Sequence, residues 1–142
     1  MRINNPASGR AAYYDRNPAT KDMGSQTTVG NHVTTLRFTY TVPSGRKFAL
    51  GWLQVFLNRF TVATTAAQVF CEITITPSGG AELLMAYVET AVSNLVDTNR
   101  MQTVGAGLIL LAGDALKGYD SDGSTGGTVT VGEQITGTEF DA

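Results

Sequence analysis

The side chains equipped for chemistry are few and scattered. The only histidine, His32, stands between Asn31 and Val33 at the head of a threonine-rich run, with no serine, cysteine or acid motif of a catalytic family beside it. Imidazole is the usual proton carrier near neutral pH, so acid–base work would have to run through this residue or through carboxylates. Glu72, Glu82 and Glu89 could include a glycoside-cleaving pair, which must face one cleft with aromatic platforms for the sugar nearby. Each is also accounted for as the polar member of an alternating strand, and that is the reading adopted.

Asp120-Ser121-Asp122-Gly123-Ser124 opens like a calcium loop, with acids two apart and a glycine for the bend. A complete loop needs a bidentate glutamate at the twelfth place, and counting from Asp120 that place is Val131. A turn whose Asp and Gly residues satisfy hairpin geometry is the preferred account; an irregular site in which Asp114 folds back is the alternative. Cys71 is the sole cysteine, which excludes an intramolecular disulfide and a four-thiolate metal site. It shares a strand face with Val69, Ile73 and Ile75, the setting of a small buried apolar residue. Phosphate-loop, nucleophile-elbow, zinc-helix and dinucleotide fingerprints are all missing. The expectation is a chain with no metal, no cofactor and no catalytic role.

The elements that would have to position such groups read as strands. Leu36, Phe38, Tyr40 and Val42 alternate with Thr35, Arg37, Thr39 and Thr41, the period of a half-buried strand. Pro43-Ser44-Gly45 ends that run, and Pro77-Ser78-Gly79-Gly80 ends the alternation from Gln68 to Thr76. Ala81 to Thr90 reads as strand by its neighbours, although Ala, Glu, Leu and Met also favour helix. Lys47 to Phe60 is apolar on both faces. Phe48, Trp52, Phe56 and Phe60 form a ladder of rings on one face, expected in the core because each buries a large area. That leaves Ala49, Leu53, Val55 and Leu57 on the other face, and Leu53, Val55 and Leu57 are expected at a subunit interface. About eight strands with turns every 8–14 residues indicate an all-β antiparallel sandwich, with a jelly roll as the best single choice.

Residues 1–31 differ from the rest. They hold no sustained period, and Pro6 and Pro18 disfavour helix before them. Ile3, Tyr13, Tyr14 and Met23 are nonetheless more apolar than a solvated tail requires. An extended arm over 1–31 that orders by lying on another surface, followed by a β-sandwich body over 32–142, is the expected organisation.

The 142 residues carry a formal charge of -2, and only 15% are charged. Phosphate binding needs a positive stripe, so nucleic acid is not expected as a direct partner. Low surface charge suits a chain that works inside an assembly better than a free monomer. The first two dozen residues are basic, with Arg2, Arg10, Arg16 and Lys21 against Asp15 and Asp22. From Gly113 onward six acids face Lys117 alone. Head-to-tail contact between copies is one account of that polarity, and chance is the other. The longest apolar stretch, Leu108 to Ala112, is far too short to cross a bilayer. Met1 to Met23 has no apolar signal segment. Synthesis and assembly inside a cell, without a membrane partner, is the expectation.

Four stretches carry a family resemblance: Val42-Pro43-Ser44-Gly45-Arg46-Lys47, Ile73-Thr74-Ile75-Thr76-Pro77-Ser78-Gly79-Gly80, Leu110-Leu111-Ala112-Gly113-Asp114-Ala115-Leu116 and Asp122-Gly123-Ser124-Thr125-Gly126-Gly127-Thr128-Val129. Over roughly residues 40–140 the chain resembles head decoration (cement) proteins of tailed bacteriophages. The resemblance implies a homotrimer on the capsid exterior that contacts the major capsid protein and bridges capsomers, after synthesis in the host cytoplasm. It also implies an N-terminal arm sharing the contact, for which Arg2, Ile3, Arg10, Tyr13, Tyr14 and Arg16 are the candidates. The rival reading is a trimeric receptor-binding or fibre head domain recognising a host glycan or protein through Thr61–Ala67 and 120–127. A secreted carbohydrate-binding module ranks below both, and an enzyme ranks last.

Overall fold

The computed structural model describes residues 19–29, 34–59, 69–90, 99–105, 107–122 and 129–142. Along the chain run β1 (Ala19–Val29), β2 (Thr35–Thr41), β3 (Arg46–Arg59), β4 (Val69–Thr76), β5 (Leu83–Thr90), β6 (Asn99–Gly105), the two-residue β7 (Ile109–Leu110), β8 (Ala115–Asp122) and β9 (Val129–Asp141). Ala81–Thr90, the helix-or-strand ambiguity, is strand from Leu83. The turns fall at the proline and glycine signals. Arg46 N–H donates to Pro43 O at 3.1 Å and Gly80 N–H to Pro77 O at 2.8 Å. Gly45 and Gly79 occupy the left-handed region, at φ 75 and 72, where a side chain would be strained.

The pairings explain the architecture. β1 pairs with β9, β2 with β8, β3 with β6 and β4 with β5, all antiparallel. These pairs are nested, like the two arms of one long hairpin. Rolling that hairpin up brings β9 beside β3 and β8 beside β4, again antiparallel. The result is one sheet ordered β1-β9-β3-β6, with β7 continuing the edge along β3, and a second ordered β2-β8-β4-β5. This is the topology of a jelly roll. The sandwich of about eight strands is as expected, although β1 and β6 are not among the runs read as strand.

Residues 19–29 lie in the segment read from sequence as arm, yet their backbone pairs with β9 from Ala19–Glu139 to Val29–Val129. The sandwich therefore begins before His32. An edge strand gains its place through backbone hydrogen bonds and needs little apolar alternation, so the pattern of 19–29 gave no strand signal.

Between the sheets lie Val42, Phe48, Leu50, Leu53, Val55, Leu57, Val69, Cys71, Ile73, Leu116, Val131 and Ile135. Cys71 is buried beside Val69 and Ile73, as its strand face implied. The Phe48 ring reaches over Gly137, which is paired with Leu50: a Cβ there would stand 2.3 Å from the ring Cζ.

Candidate functional site: an uncovered apolar side

Strand parity decides what this molecule shows to the outside, and bulges reset it. In β3 the register against β9 slips between Leu50 and Trp52, leaving Gly51 as the extra residue. A Cβ on Gly51 would lie 3.1 Å from Thr136 O, so the backbones approach closely there. Before the bulge Phe48 and Leu50 point inward; after it Leu53, Val55 and Leu57 do, each 0% exposed. The expectation that Leu53, Val55 and Leu57 form a subunit interface is therefore corrected. They fill the chain's own core. The outer face instead carries Trp52, Gln54 and Phe56, all half-buried, with Met101 of β6 opposite Phe56. Phe60 lies outside the described residues.

The large apolar side chains most exposed among the described residues are Leu36, Leu83, Leu84, Met101, Leu108, Ile109 and Leu111. All but Leu36 belong to β5, β6, β7 or the residues flanking β7. β5 is the free edge of one sheet, and β6 with β7 is the free edge of the other. The two edges lie on the same side of the sandwich, with a groove between them lined by Tyr87, Val88, Glu89, Met101 and Gln102. Sequence reasoning gave these residues no part in a surface. One signal was available: Leu83-Leu84 and Leu108-Ile109-Leu110-Leu111 are consecutive, and consecutive strand residues face opposite ways. Leu110 is buried while Ile109 is exposed.

A second bulge, between Leu36 and Phe38, turns Arg37 toward β8. Its Nη2 donates to Asp120 Oδ1 at 2.8 Å, and Nε donates to Oδ2, a two-pronged ion pair. Asp120 is 0% exposed, and Glu133 of β9 is buried close by. The bond to Asp120, with the charges of Asp120 and Glu133, raises the Arg37 pKa against the opposing effect of burial. The Cys71 thiol lies 3.1 Å from Glu133 Oε1 and 3.2 Å from Gly132 O. Burial first, then the Glu133 charge, pushes that thiol far above its usual range, so it is no nucleophile. Gly118 makes the room: a Cβ there would meet the Phe38 ring at 2.3 Å and Glu133 Cγ at 3.0 Å.

At the opposite end, Tyr40 Oη donates to Glu139 Oε2 at 2.7 Å. Arg46 Nε donates to Glu139 Oε1 at 2.9 Å, and Arg46 Nη1 to Asp141. Burial and the bond to Glu139 raise the Tyr40 pKa. On the outer face of β2-β8-β4-β5, Glu82 accepts from Thr74 and from Lys117 Nζ at 3.2 Å, and it is held below the usual carboxylate range by the Thr74 bond first. Glu72 shares that face and is pushed up by burial and by Glu82. Tyr87 Oη donates to Glu89 Oε2 at 2.6 Å, and the Tyr87 ring stacks on Phe70 at 5.8 Å. Glu72, Glu82 and Glu89 thus share one sheet face, where Glu82 and Glu89 hold bonds within the face.

Asp114 does not fold back toward Asp120. It sits at the other end of β8, accepting from Ser78 N–H and Leu111 N–H, each at 2.8 Å. Asp120 is committed to Arg37, so the irregular calcium site is not formed by these two. Among the described residues no three His, Cys, Asp or Glu side chains are grouped to hold a metal ion. His32, Thr61–Ala67, 123–128 and the arm candidates Arg2, Ile3, Arg10, Tyr13, Tyr14 and Arg16 lie outside the described residues.

No family model and no curated protein sequence matches the chain. Solved structures with a partial likeness include one of infectious bursal disease virus, Gt strain, at 12% identity and TM-score 0.39, covering 88% of this chain and 33% of that one. A mutant VP2 protein of infectious bursal disease virus, in derived T=1 particles, gives 13% and 0.38, with 88% and 36% covered. Dimeric latent PorU from Porphyromonas gingivalis gives 12% and 0.40, with 84% and 13% covered. The chain spans about a third of the two virus proteins and far less of PorU. With every TM-score below 0.5, these likenesses do not bear on function.

Proposed function

We propose that the chain is a structural protein of a virion, namely a homotrimeric decoration protein on the outside of a tailed-bacteriophage head. There it contacts the major capsid protein and bridges capsomers, after synthesis in the host cytoplasm. The observation that carries this reading is a jelly roll whose free sheet edges, β5 and β6 with β7, bear exposed large apolar side chains. Such a body is built to lie against protein. Arg37, Arg46, Glu82, Lys117, Asp120, Glu139 and Asp141 are engaged in ion pairs that brace the sandwich, which supports work by contact and not by catalysis. The resemblance across residues 40–140 supplies the head as the place of contact. Residues 1–18, with Arg2, Ile3, Arg10, Tyr13, Tyr14 and Arg16, would fasten the body to the capsid. Many copies bound at once turn modest single affinities into firm attachment.

The test is to add purified chain to bare heads and to tails and sediment both. Saturable co-sedimentation with heads, and raised resistance of those heads to heat, is the expected result. Association with tails would favour the fibre-head reading, and association with neither would overturn both.

A further inference from the structure

We infer that the outer face of β2-β8-β4-β5 is a seat for an arginine side chain carried by a partner protein, its guanidinium held at Glu72 between Tyr119 and Tyr87. The seat stands apart from the decoration reading and does not depend on the arm.

Strand register builds it. Glu72 of β4 is paired with Tyr119 of β8 on one side and with Tyr87 of β5 on the other. Its chain neighbours Cys71 and Ile73 are buried in the core, so alternation turns Glu72 and both tyrosines outward. All three are half-buried. Phe70, two residues along β4 on the same face, stacks on Tyr87 with 29° between the ring planes. A carboxylate thus stands in a row between two phenol rings, with a third ring close by.

Hydrogen bonding singles out that carboxylate. Tyr87 Oη is bonded to Glu89, and Tyr119 Oη lies 3.5 Å from Glu82 Oε2. Glu82 also accepts from Thr74 and from the Lys117 ammonium. Among the described residues no hydrogen bond or ion pair reaches Glu72, and burial with the Glu82 charge raises its pKa. Glu72, Glu82 and Glu89 share this face with Lys117 as the described base, so the face is short of positive charge. An incoming cation relieves the Glu72 carboxylate and answers that imbalance.

The rings select the kind of cation. A guanidinium is planar and weakly hydrated, and it lies on aromatic rings while donating two N–H bonds to one carboxylate. A lysine ammonium is a strongly hydrated point charge and loses that double fit. A neutral sugar could rest on the rings but would leave the Glu72 charge unanswered. A metal ion would need further ligands, and among the described residues none are grouped for one.

The experiment uses the full chain and a glycine–arginine–glycine tripeptide capped at both ends, with binding read from backbone amide shifts as the peptide is titrated. Saturable shifts should centre on residues 70–74, 86–88 and 117–120. The same peptide with neutral citrulline for arginine should bind at least about tenfold more weakly, as should the arginine peptide to Glu72→Gln, because a charge-assisted bond is lost. Tyr87→Leu and Tyr119→Leu should each weaken binding about two- to fivefold. Circular dichroism checks the fold of each variant; should Glu72→Gln misfold, the citrulline comparison on the parental chain decides. No saturable binding, equal binding of citrulline, or parental affinity in a folded Glu72→Gln would each overturn the inference. Binding that emerges only after Arg2, Arg10 and Arg16 are replaced by glutamine would give the seat to the chain's own arm and overturn the partner. Head binding is read separately: a chain that sediments with heads but ignores the peptide sinks the seat and leaves the decoration reading standing, and the reverse result does the opposite.

Discussion

Replacing Arg37 by methionine is the sharpest probe of the interior. Asp120 is wholly buried between the sheets, and its described partner is the Arg37 guanidinium, which contributes two donors while its own side chain is 22% exposed. Glu133 lies buried nearby, its influence felt at Arg37. Arg37→Met keeps most of the aliphatic stem but strands a carboxylate in a medium that solvates charge poorly. Removing one member of a buried pair costs about 3–5 kcal/mol. Against a total of about 5–15 kcal/mol for a domain, that is roughly a fifth or more of the stability. In a chain of this length it lowers the melting midpoint by about 10–15 °C. Denaturant unfolding of Arg37→Met, Asp120→Asn and the double variant forms a closed cycle. The double variant should be more stable than Arg37→Met alone, since the amide carries no charge to strand. A loss below about 1 kcal/mol in Arg37→Met, or a double variant whose loss is the sum of the two singles, would refute the buried-pair argument.

The Gly51 bulge makes a second prediction. Leu53→Ala should cost about 2–5 kcal/mol, as for a core leucine, and Phe56→Ala less than half of that; equal losses in denaturant melts would contradict the reversed face. The Cys71 thiol, its pKa raised in the fold, contributes stability that is intact below the unfolded value of about 8.5 and lost as pH climbs past it. Between pH 8.5 and 9.5 the parental chain should lose about 1 kcal/mol more than Cys71→Ala, and parallel slopes would count against it. Removing residues 1–18 should leave the melting midpoint unchanged while abolishing attachment to heads. Removing residues 1–24 should also destabilise the body, because residues 19–24 belong to the β1 ladder against β9; full attachment by the first truncation defeats the arm reading.

Much of the fold was legible in the residues. Proline and glycine mark the turns at 43–45 and 77–80, and between them branched, aromatic and threonine-rich runs alternate with the period of strands. Cys71 could be placed inside from its neighbours Val69 and Ile73. The location of the contact surface was not legible, because a pattern of period two identifies two faces without saying which is inner. One extra residue reverses that choice for everything after it. Gly51 does so in β3, moving Leu53, Val55 and Leu57 inward, and the bulge at Arg37 turns a guanidinium toward Asp120.

Local chemistry therefore determined that this chain makes short strands, where it turns, and that it lacks the clustered side chains of the common catalytic motifs. Only the rolled-up structure decided that residues 19–29 join a sheet, that Arg37 meets Asp120 across 83 positions of chain, and that the free edges of both sheets leave large apolar side chains exposed. Backbone propensity acts between neighbours in sequence. Register, burial and exposure depend on residues far apart in the chain, and they exist only once the two sheets have closed on each other.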